Sequence, residues 1–241
     1  MRGQFFLPTA LITGATRGIG RAAADLFSQN GWDLLLVARD VAALANFAAD
    51  LRRRGRVIGF EPVDLTDSKA ISPAFERLQQ QGEVPSVLIN NAGAGWTSEL
   101  LTMPIKDWQW LLQLNLTSVF QVCASVVPSM RERGGLVINV SSHAARNAFP
   151  QWGAYCVSKA ALASFTRCLA EEERDHSVRA CTLTLGAVDT SLWDNRNVQS
   201  DFNRRAMLSV DQVAAALLYL AEQPPSQVIE DLTLMPSIGT F

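Results

Sequence analysis

The chain has 241 residues, 48% of them apolar and 18% charged, where a soluble domain typically carries about 25% charge. That balance excludes a disordered chain and predicts one large domain, spanning residues 1–241, with a sizeable core. Twenty-one Lys plus Arg stand against 23 Asp plus Glu, a formal charge of −2, which excludes the basic face that nucleic acid demands.

Taken in order, residues 1–8 lack the apolar run and cleavage site of a secretory signal and read as the lead-in to a strand. Short β-branched or leucine-rich runs predict strands over 10–13, 33–38, 57–62, 87–90, 136–141, 179–185 and 231–235. Helical patterns fall between them, over 19–29, 41–54, 68–80, 105–131, 154–175 and 210–222. Ser209 and Gln212 have the spacing of a capping box at the start of the last helix. Apolar strands alternating with helices predict an α/β fold: a doubly wound parallel sheet of about seven strands, with helices on both faces. Residues 186–209, after the sixth strand, form an irregular segment long enough to be functional.

Residues 108–130 carry no charge and are long enough to span a bilayer. Gln109, Gln113, Asn115, Gln121 and Pro128 within them predict a helix buried in protein and covered on several sides, not a membrane span. Four scattered cysteines (Cys123, Cys156, Cys168 and Cys181) and only two histidines (His143 and His176) predict no metal site and a reduced, cytoplasmic chain.

Chemistry begins after the first strand, at Thr13-Gly14-Ala15-Thr16-Arg17-Gly18-Ile19-Gly20. Glycines so spaced let the backbone turn tightly, approach a pyrophosphate and pack a helix on the sheet, while the helix amides face the anion. The second strand ends in Val37-Ala38-Arg39-Asp40. There Arg39, with Arg17, offers guanidinium groups to the 2′-phosphate of NADP(H). The competing reading gives the site to Asp40, which would accept from an unmodified ribose.

Ser142 closes the fifth strand, and Tyr155 and Lys159 lie four apart on the following helix, so phenol and ammonium share one face. Hydride reduction of a carbonyl needs a proton for the incipient alkoxide. A lysine charge at roughly 5 Å, in an effective dielectric near 20, favours the phenolate by about 3 kcal/mol. The phenol is therefore expected to be more acidic than usual. A hydrolase triad of Ser142, His143 and Asp189 is disfavoured, because Ser142 lacks the Gly-x-Ser-x-Gly elbow.

With these motifs the chain resembles the short-chain dehydrogenase/reductase family along essentially its whole length, which implies a Rossmann-like fold. Residues 13–20 match the family's TGxxxGxG, and Asn90-Asn91-Ala92-Gly93 its NNAG. The resemblance implies that Asp64, followed by Leu65, meets adenine and that Asn115 holds a water linking the lysine to solvent. It implies that Val188 and Thr190 grip the nicotinamide, and that Ser142, Tyr155 and Lys159 are catalytic, with the tyrosine as general acid/base. Leu185-Gly186 stands where the family usually has Pro-Gly, which predicts a looser substrate loop.

Trp96, His143, Trp152 and Trp193 are candidate substrate walls, and aromatic walls suit a small aryl or cyclic ketone at least as well as an acyl chain. The alternatives are a 3-oxoacyl reductase meeting acyl carrier protein through Arg131 and Arg133 (with Arg174 and His176 offering at best a weak second contact), or a non-catalytic nucleotide sensor. The resemblance also implies a homodimer or homotetramer, packed through the uncharged helix and the helix bearing Ala160, Ala161 and Ala163.

Overall fold

The computed structural model describes residues 8–199 and 203–239. The lead-in predicted for residues 1–8 therefore lies, but for Pro8, outside the described residues, as does part of the irregular segment 186–209. Seven strands form one sheet: β1 (Thr9–Thr13), β2 (Asp33–Ala38), β3 (Ile58–Pro62), β4 (Val87–Asn90), β5 (Gly135–Ser142), β6 (Val178–Leu185) and β7 (Asp231–Leu234). Their order is β3-β2-β1-β4-β5-β6-β7, and each neighbouring pair is parallel.

Period-2 alternation sorts the strand residues between two cores. Ala10, Ile12, Leu34, Leu36, Ile89 and Ile138 face one side, where they meet α1 (Gly18–Gln29), α2 (Val41–Arg52) and α7 (Val210–Ala221). Leu11, Leu35, Val37, Leu88 and Val137 face the other, under α3 (Ser68–Gln79), α5 (Ser118–Met130) and α6 (Gly153–Glu172). Strands buried on both faces read as continuous apolar runs, which is why they were visible in the sequence. The capping box also forms: Ser209 Oγ accepts from Gln212 N–H at 3.2 Å, and Ser209 N–H donates to Gln212 Oε1 at 2.8 Å.

The uncharged stretch departs from expectation. Instead of one regular helix it comprises α4 (Ile105–Leu112), a π-helical turn (Gln113–Thr117) and α5. Asn115 sits in the wide turn, and its carboxamide both accepts from and donates to the Ala94 backbone at 2.9 Å. That contact with a distant loop accounts for the widened turn. Ile105–Met130 is long and apolar enough to cross a membrane, but Leu111, Val119, Val122, Val126 and Met130 are buried against the sheet and its neighbours.

A buried polar ladder sets α6 against the sheet. Asn90 Nδ2 donates to Asn139 Oδ1 at 2.9 Å, Asn139 Nδ2 to Thr166 Oγ1 at 2.8 Å, and Thr166 Oγ1 to the Leu162 carbonyl at 2.8 Å. It joins β4, β5 and α6. The strand order reverses between β1 and β4, and in open α/β sheets ligands bind at the carboxyl edge beside such a reversal.

Candidate active site

At that edge β1 runs into the glycine turn. Gly14 has φ 70° and Gly18 φ 52°, a region that L-side chains disfavour. A Cβ on Gly14 would lie 2.9 Å from Asn91 Nδ2, and one on Gly20 would run into the Gly14 carbonyl. Thr13 Oγ1 accepts from the Asn91 and Ala92 amides, each at 3.1 Å, and Asn91 Nδ2 donates to the Thr13 carbonyl at 3.0 Å. Asn91-Ala92-Gly93 therefore buttresses the turn from behind. Arg17, the N-cap of α1, supplies no capping side chain, so the first-turn amides keep their capacity for an anion. Glycines where a Cβ would clash, around an uncapped helix start, fit the pyrophosphate of a dinucleotide.

Arg17, within this turn, and Arg39, at the end of β2, are exposed, and neither side chain is hydrogen-bonded or ion-paired to a described residue. Ala15 N–H reaches the Val37 carbonyl at 3.1 Å, which brings the end of β2 alongside. Asp40 is spent locally: its Oδ1 accepts from Ala43 N–H at 2.9 Å and caps α2. Asp64 is exposed, and one of its oxygens accepts from both the Thr66 amide and hydroxyl; Leu65 next to it is buried.

One cavity joins the turn to the catalytic trio. Ile19, Asn91, Gly93, Gly186, Val188 and Thr190 line it together with Ser142, Tyr155 and Lys159. Thr16, Arg17, Ala92, Arg39, Asp64 and Leu65 lie outside its lining, as do Gly14, Gly18 and Gly20 beneath the turn. Ser142 lies close enough to the Tyr155 hydroxyl to pull its pKa down, and its Oγ accepts from Ala144 N–H at 3.2 Å. Lys159 is buried, its Nζ donating to the Val140 carbonyl at 2.9 Å and lying 5.9 Å from the Tyr155 ring centroid.

The expected acidic phenol is corrected in the protein by itself. Burial pushes Tyr155 above its ordinary pKa, more than the nearby Ser142 pulls it down. Burial also lowers Lys159 to about 8. Charge arithmetic on spacing alone missed this because it left out the desolvation of both groups.

Other expectations are also revised. Asn115 does not line the cavity; its carboxamide is committed to Ala94 and, at 3.1 Å, to Ser158 Oγ. Its side chain thus supports the backbone beside Gly93, where a Cβ would come within 3.7 Å of Lys159 Nζ. Trp96 also turns away and packs on Trp110 at 5.6 Å between centroids. His143, Trp152 and Trp193 do line the cavity, with Phe149, Leu192 and Met235, which the sequence reading missed. Phe149 sits between elements where no periodicity marks it, and Met235 was counted into β7.

The segment after β6, where the missing proline predicts looseness, is tied at several described points. Gly186 N–H donates to the Leu234 carbonyl at 2.9 Å, and a Cβ there would come within 2.5 Å of Pro236. Arg204 donates from Nε to Asp189 at 2.7 Å and from Nη2 to the Thr190 carbonyl at 3.0 Å, and pairs with Asp194. Arg131 is also engaged: it holds Glu173 through two hydrogen bonds of 2.8 and 2.6 Å, and Arg133 pairs with Glu83 at 3.2 Å.

A family profile for short chain dehydrogenases matches residues 8–201. Probable oxidoreductase EphD of Mycobacterium tuberculosis is 33% identical over 193 residues, covering 79% of this chain but 33% of that protein. The chain thus spans about a third of that longer relative. A serine 3-dehydrogenase of Rhizobium radiobacter is 31% identical over 240 residues, 97% of this chain and 95% of its own. Among solved structures, an alcohol dehydrogenase from Thermococcus sibiricus, complexed with 5-hydroxy-NADP, superposes with a TM-score of 0.88 at 26% identity, over 96% of this chain and 97% of that one.

Proposed function

Because the chain belongs to the short-chain dehydrogenase/reductase family, an oxidoreductase family, we propose that it is an NADPH-dependent reductase converting a carbonyl to an alcohol, reversibly. The observation that carries this reading is the meeting of Ser142, Tyr155 and Lys159 in the cavity that the glycine turn borders.

The preference for NADP(H) rests on Arg17 in the turn and Arg39 at the end of β2, both exposed, and on Asp40 being spent as a helix cap. A guanidinium on a phosphate makes charge-assisted hydrogen bonds that a ribose hydroxyl cannot match. The turn at 14–20 holds the pyrophosphate, Asp64 and Leu65 flank the adenine, and Gly186, Val188 and Thr190 hold the nicotinamide end. When bound, the reduced nicotinamide supplies the hydride.

Every other task falls to the chain. Ser142 donates its hydroxyl to the substrate oxygen. Tyr155 gives that oxygen its proton, and its high pKa keeps the phenol protonated and ready for reduction at neutral pH. Lys159 stabilises the phenolate left behind and binds the ribose. Asn115 acts as a positioning residue, through Ala94 and Ser158.

The carrier-protein reading is not favoured, because Arg131 is engaged with Glu173. A silent sensor would have no use for the full trio. Phe120 and Val157, 55% and 44% exposed on α5 and α6, offer an uncharged face to a second copy of the chain. Light scattering is expected to give a dimer or tetramer, and a monomer at micromolar concentration would refute that assignment.

The direct test is NADPH consumption with a panel of ketones, aldehydes and quinones. Tyr155→Phe is expected to lower kcat by about 10²–10⁴-fold while NADPH still binds. Undiminished turnover would remove the phenol from the chemistry.

A further inference from the structure

The cavity lining is of two chemical kinds. Phe149, Trp152, Leu192, Trp193 and Met235, with His143, make up its aromatic and apolar part. Trp152 stands edge-on to Tyr155 at 5.4 Å and to Trp193 at 5.8 Å between centroids. Two of these rings are engaged through polar atoms. The Trp193 indole N–H donates to the Val188 carbonyl at 2.8 Å, and His143 Nε2 meets the Asn147 carboxamide at 2.6 Å. Among the described residues the lining includes no Asp, Glu or Arg, and its one ammonium, Lys159, is held by the Val140 carbonyl.

The corner is also held in place. A Cβ on Gly95 would lie 3.2 Å from each of Trp152, Leu192 and Val198, so the glycine makes room for the indole and the loop to close together. Asp189 and Asp194, on either side of Trp193, are both tied to Arg204.

We propose, on the basis of the reductase reading above, that the substrate is a neutral ketone bearing an aromatic or alicyclic ring, which seats against Phe149, Trp152 and Trp193. Rigid ring edges and faces reward a flat, preorganised partner. A flexible acyl chain would lose rotamer freedom there without matching their quadrupoles. A carboxylate would be buried with no partner.

The test separates binding from turnover. In protein saturated with NADP+, which cannot pass hydride to a ketone, calorimetry would compare three ligands: 1-indanone, its ring carboxylate, and a linear 3-oxoacyl thioester of N-acetylcysteamine. 1-Indanone is expected to bind roughly a hundredfold tighter than the carboxylate and about tenfold tighter than the thioester. Trp152→Ala is expected to weaken 1-indanone about tenfold or more, Trp152→Phe to restore most of the loss, and neither to alter NADP+ affinity. Trp193→Leu is the second variant should Trp152→Ala fail to fold, with the same expected loss. Equal binding of the neutral and charged ketones, tighter binding of the thioester, or indifference to both tryptophans would overturn the substrate class. NADPH oxidation by any carbonyl would then leave the reductase reading standing. Its absence with every carbonyl, while 1-indanone still bound, would overturn the reductase reading instead.

Discussion

The two regions that meet at the cavity are made in different ways. The glycine turn is a main-chain structure: a continuous run of eight residues, 13–20, shaped by glycines, braced by Thr13 against the Asn91 and Ala92 amides, and reaching the cavity through Ile19. The aromatic part is a side-chain structure, in which Phe149 and Trp152, Leu192 and Trp193, and Met235 arrive from three separated segments. The turn tolerates few substitutions at Gly14 and Gly20, because an added Cβ there crowds the Asn91 side chain and the Ala92 backbone or runs into the Gly14 carbonyl. Side-chain walls can change identity while the strands beneath stay put. Under the proposed function, the first region is thus built for one kind of ligand, and the second is where a substrate would be chosen.

The largest expected effect breaks that division at the dinucleotide end. Arg39→Ala is expected to weaken NADPH by about ten- to a hundredfold, the worth of one charge-assisted hydrogen bond, and to leave NADH within about twofold by the same reasoning. Fluorescence titration of both nucleotides checks it, and equal losses would return the choice of cofactor to another residue.

The next effect lies at the junction of the two regions. Lys159 is held down to about 8 by burial, and Tyr155 is held up. Below about pH 8 both carry their protons, as reduction requires; above it the ammonium is lost first. The pH profile of kcat/KM for reduction is expected to be level to about 8 and then to fall with the slope of a single proton. A profile that stays level to pH 10 would show that the lysine charge is not needed.

The smallest effect belongs to the substrate end. Arg204→Met removes the guanidinium that ties Asp189, Asp194 and the Thr190 carbonyl. As these groups are partly exposed, the ketone KM is expected to rise only about three- to tenfold, with NADPH affinity unchanged. If cofactor affinity fell while the ketone KM rose, the two regions could not be treated as separate.

How much of this was legible in the chain follows the same line. The bounds of β2 and β4 match the predicted runs 33–38 and 87–90, because strands buried on both faces write their burial into local composition. The glycine turn and the convergence of Ser142, Tyr155 and Lys159 on one cavity were legible from spacing. Arg131 was readable as a basic residue but not as the partner of Glu173, 42 residues away. Trp96 and Phe149 exchanged roles for a similar reason: what an aromatic ring faces depends on the elements that pack around it.

By itself, then, the sequence determined the order of strands and helices, the glycine turn after the first strand and the spacing of Ser142, Tyr155 and Lys159, since each is a matter of local pattern. Only the tertiary structure decided where the long apolar helix widens around Asn115, which rings wall the substrate end, and that burial raises the phenol while lowering the ammonium. Those outcomes depend on neighbours far away in the chain and on how much water they exclude, which no spacing along the sequence records.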